Sequence, residues 1–403
     1  MTGAPHDPPH GAAPQARKES EPGPGCGASQ EYACTPFPAE VYVRRLRRAA
    51  GEAAAARLTG VLVTPGPDLG RLCGHLPGAA PDRLTLLVLA PEAEPRLLVP
   101  ARDLADASAG PAAGAVRLTA WADGQDPYAA AAGLLLPHGH YGISDATWSV
   151  HLLGLEEALP LTTYRPLSTA LPLFRAVKDE EETARLAAAA AAADAAYEAV
   201  LGVRFSGRRE SELAADLAGL LRACGHDRVD RARVAAAGHG ADPDHRPGDH
   251  RVEPGDTVVL DLGGRRDGYA SALTRTVHVG EPPDRLRRLH EIVRTAREAA
   301  LAAMLPGASC AEPDRAARAV LADAGHDGDA LPATGHGLGV TPYEPPYLAP
   351  GATQLLSPGM CVQVTAGVLL PGRLGVRLGD AVVCTAAGVR RLAGADPALA
   401  VVR

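Results

Sequence analysis

The chain has 403 residues, a formal net charge of −7, 46% hydrophobic residues and only 3% aromatics, which is long enough for two domains with sizeable cores. Its arginines are spread evenly, with no basic run, so the charge pattern is no nucleic-acid footprint, and no stretch is long and apolar enough to span a membrane. Seven cysteines, odd in number and without paired metal-ligand spacing, point to a reducing interior; Met1 to Gln30 is polar and rich in Pro and Gly where a secretory signal would be apolar, so a cytoplasmic protein with a disordered leader over residues 1–35 is expected.

Residues 36–170 read as a first α/β unit. An amphipathic helix is predicted over Ala39 to Arg57, with strands at Thr59–Thr64, Leu84–Ala90, Leu97–Pro100 and Tyr141–Ser144. Asp68, Cys73 and His75 are read as loop and packing residues. Residues 171–403 form a second unit. It opens on Asp179-Glu-Glu-Glu182, an acidic first turn suited to a helix N-terminus, and continues as a helix to Gly202. Further helices are predicted over Glu210–Cys224, Asp284–Met304 and Cys310–Ala324, with closing strands around Cys361, Arg377 and Val382.

The chemistry gathers in the second unit. The run Thr257-Val-Val-Leu-Asp261 enters a turn at Arg265-Arg266-Asp267-Gly268 and leaves in a second strand, so positions 261 and 272 are predicted to face each other on one side of a hairpin. Two carboxylates there could share a pair of metal ions, but the partner of Asp261 is Ala272, a methyl group. Gly335-His336-Gly-Leu-Gly339, Pro358-Gly359-Met360 with the strand Cys361-Val-Gln-Val-Thr365, and Gly375-Val376-Arg377-Leu378-Gly379-Asp380 follow in order.

These motifs, with Gly268-Tyr269, Thr274-Arg275-Thr276 and Phe174-Arg175-Ala-Val-Lys178, resemble the creatinase, aminopeptidase P and prolidase family over most of residues 171–392. The resemblance implies an α/β (α+β) architecture, a creatinase-like N-terminal domain followed by a pita-bread domain, and a homodimer. It also implies where metal would sit. Metallopeptidase members hold two divalent ions with two Asp, one His and two Glu, and those positions fall on Asp261, Ala272, His336, Thr365 and Gly379. A two-metal hydrolytic site needs bridging carboxylates about 3.5–4 Å from one ion to the next, and Ala, Gly and a neutral Thr hydroxyl are poor replacements. Asp380 cannot substitute for Gly379, because adjacent strand residues point to opposite faces; the same holds for Ser271 beside Ala272. Losing the acids together removes like charges that would repel one another without metal.

What is expected is therefore a creatinase-like enzyme without metal or other cofactor, a C–N bond hydrolase or lyase acting on an amino-acid-like small molecule or a short-peptide substrate. His245 falls where the family carries a substrate-contacting histidine, and the corresponding residue of creatinase, which works without metal, is its acid/base group; an imidazole moves protons near neutral pH unaided. Tyr343 falls where peptidases carry a second histidine and would orient substrate, with Asp261, His336, Thr365 and Arg377 lining the pocket; Arg377 could hold a carboxylate bidentately. The two glutamates of the creatinase pocket would fall on Thr274 and Thr365, which argues against a guanidinium substrate. Two alternatives stay open: a non-catalytic binding or scaffold protein, and an Xaa-Pro peptidase with a non-standard metal site.

Overall fold

The computed structural model describes residues 35–75 and 82–403, so the leader expected over residues 1–35 lies, apart from its last residue, outside the described residues. A six-stranded sheet comes first: β1 (Gly60–Val63), β2 (Leu86–Leu89), β3 (Arg96–Pro100), β4 (Arg117–Trp121), β5 (His140–Ile143) and β6 (Thr163–Pro166), in the order β4-β3-β2-β1-β5-β6. Its four central strands are the apolar runs expected from sequence. The two edges are not: β4 and β6 are short and largely exposed, so no hydrophobic pattern marks them. The helix Ala39–Ala55 packs Val41, Tyr42, Leu46, Ala49 and Ala53 onto this sheet.

The second unit is built on a ten-stranded sheet. Its strands are β7 (Arg228–Ala236), β8 (Thr257–Arg266), β9 (Tyr269–Ala270), β10 (Leu273–Val279), β11 (Gly335–Gly337), β12 (Glu344–Leu348), β13 (Cys361–Leu370), β14 (Leu374–Thr385), β15 (Gly388–Arg391) and β16 (Ala400–Val402). Its main path runs β12-β11-β13-β14-β10-β8-β7. Helices Glu180–Leu201 and Glu210–Ala223 cover Val258, Leu260, Leu262, Leu273 and Val277 at one end. Helices Asp284–Ala303 and Ala311–Asp323 cover Val362, Val364, Val376 and Leu378 at the other. Because side chains alternate along a strand, burying these residues under the helices turns Asp261, Thr274, Thr365 and Gly379 to the opposite face.

The hairpin between β8 and β10 corrects one expectation. Its turn is two residues long, with Asp267 at φ 52° and Gly268 at φ 80°, the left-handed pair that matches strand twist. Arg266 therefore pairs with Tyr269, and the register carries Asp261 to Thr274. The sequence reading set 261 against 272, two residues out, because it took Arg265–Gly268 as the whole turn. Ala272 is buried among Tyr269, Ala270 and Leu338.

Among the described residues four ion pairs join the two units, and the acidic turn Asp179–Glu182 receives three of them. Arg44 meets Glu181, Arg45 meets Asp179 and Arg71 meets Glu182, while Arg175 meets Asp68. Asp179 and Glu182 also form the capping box of helix Glu180–Leu201. Arg71 and Glu182 are both buried, at 2.9 Å. Burial raises the Glu182 carboxyl, but the Arg71 guanidinium beside it prevails and holds it at about 2, against an ordinary 4.5. A carboxyl depressed on folding stabilises the protein above its unfolded value and loses that contribution as pH falls toward the folded one. Glu182→Gln leaves Arg71 buried without its anion, so chemical denaturation should show a loss of about 3 kcal/mol at pH 7, shrinking as pH falls from 4.5 toward 2.

Candidate functional site

Four neighbouring strands place one residue each in a row across the face of the sheet turned away from those helices. Asp261 of β8 pairs with Thr274 of β10, Thr274 with Gly379 of β14, and Gly379 with Thr365 of β13. The row is tied by a closed circuit. Thr274 Oγ1 donates to Asp261 Oδ1 at 3.3 Å, Gln363 Nε2 donates to Thr274 Oγ1 at 3.3 Å, and Arg231 Nη2 donates to Gln363 Oε1 at 3.4 Å. Arg231 Nη1 then closes the loop 3.6 Å from Asp261 Oδ2. Both members of this last pair are buried, with side chains 9% and 3% exposed.

A side chain at position 379 would crowd three neighbouring side-chain atoms. A Cβ there would lie 2.5 Å from Thr365 Oγ1 and 3.1 Å from both Gln363 Nε2 and Thr274 Oγ1. The threonine hydroxyls and the Gln363 amide have closed over the point from which a side chain at 379 would start. Asp380, one residue on, faces the helices: it pairs with Arg275 and Arg297, each at 2.6 Å, as alternation along the strand requires. Ser271 is likewise turned away, its hydroxyl 2.7 Å from His226 Nε2 in the interior.

His336, Tyr343 and Arg377 border the same face. His336 pairs across the sheet with Gln363, and the Tyr343 ring lies over its imidazole with centroids 4.1 Å apart. The Arg231 guanidinium donates to the Tyr343 hydroxyl and stands 4.9 Å from that ring's centre. Burial pushes the His336 imidazole below its usual range, Arg231 adds to the shift and Asp261 opposes it, so the ring is neutral at pH 7. Its Nδ1 donates to the Gly337 carbonyl at 3.0 Å, which leaves Nε2 as the basic nitrogen. Arg377 pairs with Gly367, where any Cβ would strike the arginine stem. Burial pulls its guanidinium down, with Asp261 opposing and Arg231 adding, and its buried Nε has no hydrogen-bond partner among the described residues. A guanidinium that meets no carboxylate among the described residues and lacks its full set of acceptors can take an anion.

His245 stands apart. Its Nε2 lies 2.8 Å from Glu210 Oε2, and its ring stacks on His239; none of its hydrogen bonds, ion pairs or ring contacts among the described residues reaches the Asp261 row. Arg231, Arg233, Gln363 and Glu210 were not anticipated. Arg231 and Arg233 are two apart on β7, the spacing that puts both on one face, and Arg233 pairs with Asp261; Gln363 is two before Thr365 on β13. That periodicity was the available signal.

Comparison with known proteins fixes the family. The profile of metallopeptidase family M24 matches residues 184–386. A protein of Mycobacterium tuberculosis named probable dipeptidase PepE is 37% identical, over 87% of this chain and 94% of that protein. The chain belongs to metallopeptidase family M24. The crystal structure of dipeptidase PepE from Mycobacterium ulcerans superposes with a TM-score of 0.85 at 36% identity, covering 91% of this chain and all of that one. A dipeptidase from Pyrococcus horikoshii gives 0.80 at 32% identity, covering 89% and 99%. The expected fold and family are thus borne out, with this M24 member sharing the pita-bread architecture of its relatives.

The crowding at position 379 makes a direct prediction. Gly379→Ala should cost about 1–3 kcal/mol in denaturant unfolding, and the cost should fall substantially in a Thr365→Ala background, because the nearest clashing atom is then gone. Equal costs in the two backgrounds would show that the threonine hydroxyl does not set the limit.

Proposed function

We propose that this M24 protein works through a metal-independent pocket that binds a carboxylate-bearing amino-acid-like or short-peptide molecule and moves a proton at His336. The observation that carries the reading is the Arg231–Asp261 ion pair. A guanidinium already compensates the one carboxylate of the row, where a dinuclear centre would need several oxygen donors around its ions.

The residues at the five positions do not fit such a centre. Asp261 and His336 offer donors; Ala272 and Gly379 offer none, and Thr365 is neutral. Charge points the same way. Arg231 and Arg377 flank a single Asp261, so a divalent cation would enter a positive field, whereas a substrate carboxylate would be drawn to it. The names of the relatives as dipeptidases favour a short peptide or peptide-derived molecule, whose free carboxylate suits the unpartnered Arg377 guanidinium. Tyr343, over His336 and hydrogen-bonded to Arg231, would position the bound molecule.

The acid/base role passes from His245 to His336. His245 is engaged with Glu210, whereas His336 borders the Arg231–Asp261 circuit with a neutral ring that also hydrogen-bonds the Gln363 side chain. It accepts a proton at Nε2 while Nδ1 stays bonded to the Gly337 carbonyl. Because burial lowers its titration below the ordinary 6.5, the basic form prevails at pH 7, and metal-free turnover should decline as pH is taken below 6.5.

Hydrolysis and binding of Ala-Pro and Gly-Pro on chelator-treated protein, with and without Mn²⁺, test the reading. Binding is expected without metal and should weaken by about tenfold or more in Arg377→Met. His336→Ala should abolish metal-free turnover while leaving binding nearly intact. Hydrolysis that appears only with Mn²⁺ would overturn the proposal, and binding without turnover in the unaltered protein would remove its catalytic half.

A further inference from the structure

We propose that Glu210, His239 and His245 form a separate site for a divalent transition-metal ion such as Zn²⁺. One atom from each could act as a ligand, and these atoms all lie within 4.8 Å of one another. Glu210 begins the helix Glu210–Ala223 and is fully buried; His239 sits in the short 3-10 turn Ala237–Ala241, and His245 follows in the loop. His239 Nδ1 is 3.0 Å from Glu210 Oε1, and His245 Nε2 is 2.8 Å from Oε2.

Two imidazoles and one carboxylate are a donor set for zinc, and the imidazoles favour zinc, nickel or cobalt over magnesium or calcium. Tetrahedral zinc, with bonds of about 2.0–2.2 Å, needs ligand atoms about 3.3 Å apart. The atoms here, within 4.8 Å of one another, need close by no more than about 1.5 Å to reach that spacing. The rings are stacked, with centroids 4.2 Å apart and planes 25° from parallel, so one must turn before both lone pairs meet a common ion. His239, its side chain 43% exposed, is free to do so, while His245 is 16% exposed and held more firmly. Water can take the fourth place.

The carboxylate is oriented before any ion arrives. The backbone N–H groups of Ala236 and Gly248 donate to Glu210 Oε1 and Oε2, the kind of outer support that aims a ligand. These bonds and the two histidines also satisfy Glu210 without an ion, so the fold does not depend on metal and the affinity is moderate. Binding would tie the 237–248 loop to the start of a helix. That loop accepts a hydrogen bond from Arg233 through the Pro243 carbonyl, and Arg233 pairs with Asp261; zinc would thus stiffen one wall of the pocket without entering it.

Calorimetric titration of the chelator-treated full chain with ZnCl₂ tests this, comparing the unaltered protein with His239→Ala, His245→Ala, Asp261→Asn and His336→Ala. His239→Ala spares the Glu210–His245 bond, and thermal melting of each variant checks that it is folded. One equivalent is expected, weakened about tenfold or more by either of the first two changes and unaffected by the last two. Zinc binding that survives both of the first two changes, or no binding by the unaltered protein, would overturn the site. Binding lost in Asp261→Asn or His336→Ala instead would place the ion in the pocket and contradict the metal-independent reading as well, so the two failures are distinguishable.

Discussion

Asp261 is buried on the open face of the large sheet, and a carboxylate in that position must be met by positive charge or by enough hydrogen-bond donors to replace water. In this chain Arg231 supplies the charge, while Thr274, itself held by Gln363, supplies a donor. The circuit through Arg231, Gln363, Thr274 and Asp261 spans four strands, so the charge balance of the pocket and the alignment of the sheet are one arrangement. Each contact is long. Their closure into a ring, on strands fixed by their own ladders, is what holds them in place.

The sheet separates two kinds of electrostatics. On the helix side, Asp380 is locked between Arg275 and Arg297 beneath helix Asp284–Ala303. On the open side, the neighbouring Gly379 has no side chain at all, and Arg377, two residues earlier, keeps an unpartnered Nε. Both helix-side arginines meet a carboxylate, whereas Arg377 meets none among the described residues. The pairs that join the two units belong to the first kind, since Asp179 and Glu182 cap a helix while meeting Arg45 and Arg71.

Much of this was readable in the letters. The apolar central strands, the four long helices of the second unit and the glycine-rich motifs in order were enough for fold and family, because burial under helices demands those patterns. The opposition of Gly379 and Asp380 followed from strand alternation alone. Edge strands β4 and β6 were missed because exposed strands need no apolar period. The hairpin register was missed by two residues because the turn closes at Asp267-Gly268, and flanking arginines gave no sign that they continue the strands. His336, Arg377 and Thr365 do share a face with Asp261. His245 does not join them: Glu210 draws its imidazole away, and a partner 35 residues distant leaves no local trace. Arg231 was hidden for the same reason, and an irregularity in β7 just before it breaks the simple alternation.

Anomalous diffraction from crystals grown with excess MnCl₂ puts the central claim to its most direct test. The account predicts no peak between Asp261 and His336 and an Arg231 guanidinium still paired with Asp261. Two full-occupancy peaks about 3.5–4 Å apart at that place, with Arg231 displaced, would contradict it.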